Sequence, residues 1–100
     1  MNRITTFNYL KKMETIQKEW KPENNGVSRI FQFASFRPAI SFILEVADYA
    51  EKVDHHPTIT NTYNEVKLFL ITHTENTITE KDIEFCAEVN KLITNYDILN

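Results

Sequence analysis

The chain has 100 residues, of which 42% are hydrophobic and 25% are charged, and it contains a single glycine. This length and balance fit one folded domain over residues 1–100 and exclude collagen-like, low-complexity and disordered chains. The net charge of −3 argues against direct nucleic-acid binding, and polar residues interrupt every apolar run before it reaches the roughly 20 residues of a bilayer span.

The first predicted element is a helix over residues 6–17. Apolar residues recur there every three or four positions, at Ile4, Phe7, Leu10, Met13, Ile16 and Trp20. Pro22 and the run Asn24-Asn25-Gly26 predict a turn, with a short strand around residues 19–21 before it. Aromatic and β-branched residues then alternate over residues 27–34, which predicts the second strand of a hairpin.

A second helix is predicted between Ser35 and Asp54. The Ser35 side chain can accept from free N–H groups of the first turn, and Pro57 ends the helix because the residue before a proline avoids helical angles. One apolar face holds Phe36, Ile40, Ile43, Ala47 and Ala50, and it is widened by Phe42, Val46, Tyr49 and Val53. So broad a face predicts burial against the sheet on one side and another subunit on the other, with Phe42 and Tyr49 as the first outward candidates.

The second half of the chain is predicted to contain two strands followed by a helix. It is predicted to form a short strand over residues 58–60, a turn over residues 61–64 and a strong strand over residues 65–73. Thr79 and Asp82 have the spacing of a capping box that begins a last helix. The predicted fold is α+β in the order αββαββα, with a four-stranded antiparallel sheet and three helices packed on one of its faces.

The chain has three histidines, His55, His56 and His73. All three lie between the second predicted helix and the last one. Histidine can both give and take a proton near neutral pH, so several in one cleft can run a proton transfer without a metal. A three-histidine metal site is the alternative. Adjacent residues of an extended chain point to opposite sides, which makes that geometry awkward for His55 and His56.

The spacing around the histidines is distinctive. Glu51 is followed after three residues by His55-His56-Pro57, after five more by Tyr63, after nine by His73 and after eight by Asp82. This pattern resembles the signature of the pterin-4a-carbinolamine dehydratases, and the resemblance covers residues 20–92. Two departures are visible: Thr58 and Ile59 stand where the family often has an aromatic residue, and Thr77 stands where it often has glycine. The first predicts an altered wall of the pterin pocket, and the second a different loop.

The resemblance implies that the protein removes water from a 4a-hydroxytetrahydropterin, giving a quinonoid dihydropterin in tetrahydrobiopterin recycling, with no cofactor and no metal. It implies that His55 and His73 are the acid and base and that His56 binds and orients the pterin. The predicted substrate-binding set is Glu51, Asp54, Pro57, Thr72 and Trp20. For Glu51 a solvated helix-end carboxylate is an equal alternative, and for Trp20 a core position is the alternative. We interpret Asp82 as structural, Tyr63 as a turn and packing residue, and Cys86 as a small buried apolar residue.

The same resemblance implies a second class of function, an interaction protein that serves as a dimerisation cofactor for a homeodomain transcription factor in a suitable host. Either function predicts a homodimer or homotetramer through the second helix. A lone cysteine and the lack of a secretory signal in the first twenty residues predict a cytoplasmic location, extending to the nucleus if the transcriptional partner exists. A basic, amphipathic organelle presequence at the N-terminus is the alternative left open.

Overall fold

The computed structural model describes residues 14, 16 and 18–100 of the chain. Its elements are strand β1 (Lys21–Glu23), strand β2 (Gly26–Gln32), helix α1 (Phe36–Val53), strand β3 (Thr58–Thr62), strand β4 (Glu65–Leu70) and helix α2 (Glu80–Ile93). The helix predicted over residues 6–17 lies outside the described residues, apart from Glu14 and Ile16, which are both helical. The described part of the chain therefore shows two complete helices rather than the three predicted.

The four strands form one antiparallel sheet in the order β1-β2-β4-β3, which confirms the predicted sheet. Asn24 and Asn25 adopt φ angles of 45° and 68°, the left-handed values that suit a two-residue hairpin turn. This turn pairs Glu23 with Gly26. The first strand consequently occupies Lys21–Glu23, two residues later than predicted, because the turn geometry determines the register.

Two strands end earlier than their alternation predicts. β2 stops at Gln32, and beyond it Phe33 forms only an isolated bridge with Ile98. β4 stops at Leu70 rather than at His73, because the Thr72 N–H turns back to the carbonyl of Thr77, 3.0 Å away. This turn separates Thr72 and His73 from the sheet ladder and leaves them at its end.

The core lies between the sheet and the two helices. Phe31 of β2 and Val66, Leu68 and Leu70 of β4 point to the same face and are fully buried, as the strand alternation requires. The ring of Phe42 on α1 packs on Phe31, with ring centres 4.9 Å apart. The opposite face of the sheet, which we call the open face, carries Ser28, Ile30, Thr58, Thr60, Lys67 and Phe69 and faces away from both helices.

Gly26 is required by a close approach across the open face. A Cβ atom at this position would collide with the Leu70 carbonyl oxygen and would lie 2.8 Å from two ring carbons of Phe69. The absence of a side chain at Gly26 therefore leaves room for the Phe69 ring beside the start of β2.

Helix α1 begins and ends where predicted, although its cap differs. Ser35 is the N-cap residue, but its side chain makes no capping hydrogen bond, so that part of the prediction is wrong. At the other end, Asp54 adopts the left-handed conformation (φ 53°), and its N–H bonds to the Ala50 carbonyl. This residue turns the chain sharply before His55-His56-Pro57.

The two faces of α1 are assigned differently from the prediction. Phe42 is fully buried in the core, and Tyr49 packs on Phe85 of α2 with ring centres 4.8 Å apart, so neither points outward. The outer apolar stripe consists instead of the exposed Phe36 and Leu44 and the half-buried Ile40, which border a shallow groove. The sequence shows that α1 is apolar on two sides, but only packing shows which side the sheet covers.

Neither helix in the part of the chain that the structure describes is long and apolar enough to cross a membrane.

Candidate active site

His55 is held by a buried carboxylate. Its Nε2 atom lies 2.7 Å from Oδ1 of Asp82, and the two side chains are 13% and 1% exposed. A carboxylate only accepts, so Nε2 carries the proton and donates, and Nδ1 is the nitrogen left able to take a proton. The ring also makes an edge contact with Phe85, at 6.3 Å between centres. His55 is thus fixed in orientation and in tautomer.

Asp82 links three segments of the chain. Its Oδ2 atom accepts from the Thr72 hydroxyl at 2.7 Å and from the Thr79 backbone N–H at 2.9 Å. The Thr79 hydroxyl in turn lies 2.7 Å from that of Thr72 and caps the Lys81 N–H. The predicted capping box is confirmed. The sequence-based interpretation of Asp82 as structural missed its second role, because contact with His55 depends on how α2 packs against the end of α1, where Tyr49 meets Phe85.

His56 forms a separate pair with Glu51. Its Nε2 atom lies 2.7 Å from Oε2 of Glu51, and both side chains are largely exposed. Glu51 therefore accepts from the imidazole of His56 and not from that of His55, which binds Asp82. The left-handed turn at Asp54 sends the two adjacent histidines in different directions.

His73 is exposed and opens onto a cavity of about 400 Å³ on the open face. The cavity is lined by Glu23, Asn24, Thr58, Thr60, Lys67, Phe69, Ile71, His73 and Asn76. Asp82 ties this region to His55, because it accepts from both His55 and Thr72, the residue before His73. All three histidines consequently lie at one end of the sheet, with Thr72 between the Asp82–His55 pair and His73.

A second cavity, of about 420 Å³, lies on the helix side of the sheet. Trp20, Ile83, Cys86 and Asp82 are among its lining residues, whereas none of the three histidines reaches it. Trp20 is almost fully buried, and its Nε1 donates to Oδ1 of Asn90 at 3.0 Å, so it is both a core residue and a cavity wall. The cavity beside His73 is the better candidate for proton chemistry, because it is lined by an imidazole, which can both give and take a proton.

The remaining predicted residues have simple surroundings. Tyr63 occupies the turn before β4 with φ 50°, as predicted, but its side chain is 62% exposed and does not pack. Cys86 is fully buried, as predicted, and burial raises the pKa of its thiol well above the ordinary value. Asp54 and Pro57 flank the two adjacent histidines. Asp54 is exposed, and Pro57 is half-buried.

Of the nine residues that line the cavity beside His73, sequence reasoning had named only Thr58 and His73 for the site, and among those it missed are Glu23, Lys67 and Phe69. The signal was present in the alternation of Lys67 and Phe69 in β4, which continues to Ile71 and His73 just beyond the strand. The contribution of Glu23 depended on the pairing of β1 with β2. Among residues 14, 16 and 18–100, no group of three or more His, Cys, Asp and Glu side chains is arranged to hold a metal ion.

Comparison with known proteins identifies the family of this chain. The family model described as pterin 4 alpha carbinolamine dehydratase matches residues 3–92. The chain belongs to this family. A Sulfolobus acidocaldarius protein named after the same dehydratase is 38% identical over 73 residues, which are 73% of this chain and 80% of the relative. A Chloroflexus aurantiacus protein with that name is 41% identical over 75 residues, covering 75% and 81% of the two chains.

Two solved structures share the fold. A crystal structure from Brucella melitensis, described as a transcriptional coactivator/pterin dehydratase, superposes with a TM-score of 0.74 at 36% identity, over 80% of this chain and 90% of that one. A pterin dehydratase-like protein described as a RuBisCO assembly factor of the alpha-carboxysome superposes with a TM-score of 0.61 at 23% identity, over 74% and 86%. The second likeness extends to the fold alone, so the family's architecture serves proteins described in different functional terms.

Proposed function

We propose that the protein is a dehydratase that removes water from a 4a-hydroxytetrahydropterin and gives the quinonoid dihydropterin. The observation that carries this proposal is the Asp82–His55 pair, which leaves one basic imidazole nitrogen beside the end of the sheet where His73 opens onto a cavity. A cavity of about 400 Å³ is in the size range of small-molecule sites. Membership of the dehydratase family supports the same substrate class.

The reaction needs two proton transfers and no change of oxidation state. One group protonates the departing 4a-hydroxyl so that it leaves as water, and another accepts the proton from N5 as the C4a–O bond breaks. We assign these transfers to His55, through Nδ1, and to His73. His56 forms an exposed pair with Glu51. We assign it to binding and orienting the pterin.

Purified protein is expected to accelerate dehydration of a freshly generated 4a-hydroxytetrahydropterin, followed by ultraviolet absorbance, with no added metal or nucleotide. Treatment with a chelator should leave the rate unchanged, because histidines alone supply the proton transfers. A rate that falls on chelation and returns with one specific metal ion would contradict the acid–base assignment and favour the three-histidine metal site.

The protein is also proposed to assemble as a homodimer or homotetramer through the outer stripe of α1. Leu44 is 61% exposed on this stripe and lies one helical turn from Ile40, so a second copy of the helix can bury both. Burial of this stripe would remove from water the apolar surface that the fold of one chain leaves exposed.

Leu44→Glu is expected to raise the dissociation constant of the assembly about 100-fold or more, because the interface would bury an unpaired charge. Sedimentation velocity at micromolar concentration measures the shift to smaller species. Leu99→Glu is the matched control, since Leu99 is equally exposed (66%) but lies outside the helix, and it should leave the assembly intact. A wild-type protein that sediments as a monomer would contradict the proposed assembly.

An interaction protein is the second candidate function. The Brucella melitensis structure is described as a coactivator as well as a dehydratase, and the exposed stripe of α1 offers a surface for a protein partner. A chain with no dehydratase activity whose stripe binds a transcription factor would favour this candidate. The cytoplasmic location expected from the sequence stays a prediction.

A further inference from the structure

The edge of the sheet beside β2 is covered only in part by β1. The register pairs Lys21 with Ser28, and β1 reaches no further because the residue before it, Trp20, is buried in the core. Backbone groups along a strand face its two neighbours in alternation, so those of Ile30 and Gln32 face the same side as those of Ser28. Beyond Ser28, none of the strands described between residues 18 and 100 pairs with this side of β2. We call these backbone groups of Ile30 and Gln32 the half-edge.

Residues 98–100, which we call the strap, occupy the half-edge. The Leu99 N–H donates to the carbonyl oxygen of Gln32 at 2.7 Å. The side-chain carboxamide of Asn100 accepts from the Gln32 N–H at 2.9 Å and donates to the Ile30 carbonyl at 2.8 Å. The strap therefore supplies hydrogen bonds that a neighbouring strand would otherwise make.

The strap lies where a longer β1 would lie. Ile98 forms an antiparallel bridge with Phe33, just past the end of β2, so the strap and β1 run in the same direction along one edge. A cavity of about 430 Å³ lies between them, with Lys21 and Asn100 among its lining residues. Ile98 packs against the core, and the ring of Tyr96 meets that of Phe33 at 5.6 Å between centres. These two side chains anchor the strap and direct it to the half-edge.

Beyond Ile98, recognition rests on hydrogen bonds rather than on apolar burial. The side chain of Leu99 is 66% exposed, so its N–H is the group that binds. The carboxamide of Asn100 carries a donor and an acceptor, like a peptide group. A carboxylate in its place would lack the donor and would face the Ile30 carbonyl oxygen. The half-edge thus fits an extended segment that offers a backbone N–H followed by a carboxamide.

We propose that the half-edge is a strand-addition site for an extended Ile-Leu-Asn segment, and that the strap occupies this site and closes it to other chains. An open strand edge is a template for pairing with a further chain, and natural sheets cover such edges. Residues 98–100 of a second copy offer the same three hydrogen bonds, so they are the occupant that can replace the strap. The tethered strap prevails at ordinary protein concentrations, because a short tether gives an effective concentration on the order of millimolar.

The proposed site is independent of the histidines. Gln32 pairs with Glu65 at the start of β4, whereas His73 follows the end of that strand. The half-edge and the cavity beside His73 therefore lie at opposite ends of the sheet. Dehydratase activity, present or absent, does not bear on the proposal.

A peptide binding experiment tests the site in a variant whose strap is released. Leu99→Pro combined with Asn100→Ala removes all three hydrogen bonds, since proline lacks the N–H and alanine lacks the carboxamide. The probe is an acetylated peptide with the sequence of residues 95–100, titrated into labelled protein while the amide resonances of Ile30 and Gln32 are followed. It should bind the double variant at least tenfold more tightly than the wild type, where the strap competes.

The matched control is the same peptide with proline and alanine in place of its last two residues, which should not bind the double variant. Equal affinity of the original peptide for wild type and double variant would overturn the proposal, and so would a failure to bind the double variant. Circular dichroism shows whether that variant is folded. If it is not, the hydrogen exchange of a single variant decides.

Amide hydrogen exchange tests the strap without any peptide. Asn100→Ala should speed exchange of the Gln32 N–H about tenfold, the effect of one lost hydrogen bond, and should leave that of Phe31, which faces β4, unchanged. Asn95→Ala removes an exposed carboxamide just after α2 and should keep the wild-type exchange rate at Gln32. Equal exchange of the Gln32 N–H in the wild type and Asn100→Ala would show that the strap does not hold the half-edge.

Discussion

Replacing His55 or His73 by alanine is expected to lower kcat for dehydration by about 10²-fold or more, since a positioned acid or base contributes roughly 10²- to 10⁴-fold. His56→Ala is expected mainly to raise KM. The difference has a physical basis in the structure. His55 is locked by Asp82 with one nitrogen open, and His73 faces the cavity, whereas His56 is tied to Glu51 on an exposed helix end.

Steady-state kinetics of the three variants give kcat and KM separately, and circular dichroism with thermal melting shows whether each variant folds. His73 and His56 are exposed, so their removal should hardly change the melting temperature. A His56→Ala variant that loses kcat while His55→Ala keeps it would reverse the assignment of the adjacent histidines. A variant that fails to fold would move its histidine to a structural role.

Asp82→Asn is expected to lower kcat by about 10²-fold or more while the protein stays folded. In the wild type, both oxygens of Asp82 accept hydrogen bonds, which come from His55, the Thr72 hydroxyl and the Thr79 N–H. The amide keeps the size of the carboxylate, but it can accept hydrogen bonds at only one of these two positions. If the amide nitrogen faces His55, the ring must accept through Nε2, and the proton then sits on Nδ1, where the base is needed. The loss should thus appear in kcat more than in KM, as for an interaction that matters in the transition state.

The matched control for Asp82→Asn is Thr79→Ala, which removes the hydroxyl cap of α2 without touching His55. Loss of a cap costs about 1 kcal/mol of stability, so this variant should melt at a lower temperature and lose far less kcat than Asp82→Asn. Asp82→Glu should recover less than the wild-type rate, since the longer side chain displaces the carboxylate in a fully buried site. Equal effects of Asp82→Asn and Thr79→Ala on kcat would indicate that Asp82 serves only the helix cap.

Local patterns in the sequence determined the elements of the second half of the chain. The alternation in β4, the Thr79–Asp82 capping box and the limit that Pro57 sets on α1 all depend on neighbours within a few residues. The capping box and the helix limit are confirmed, and the strand is confirmed as far as Leu70. The spacing of Glu51, His55, His56, His73 and Asp82 was sufficient to indicate the family, because a motif of fixed intervals is itself a local property of the chain.

Tertiary packing decided which of these residues meet. The direction of α1 determined that Phe42 enters the core and Leu44 stays in water, although both lie in the apolar part of the same helix. The turn from Asn24 to Asn25 set the register that brings Glu23 to Lys67, 44 residues away. The packing of α2 against the end of α1 brought Asp82 to His55, 27 residues away. These contacts depend on the burial of apolar side chains from distant segments, which periodicity within one segment does not encode.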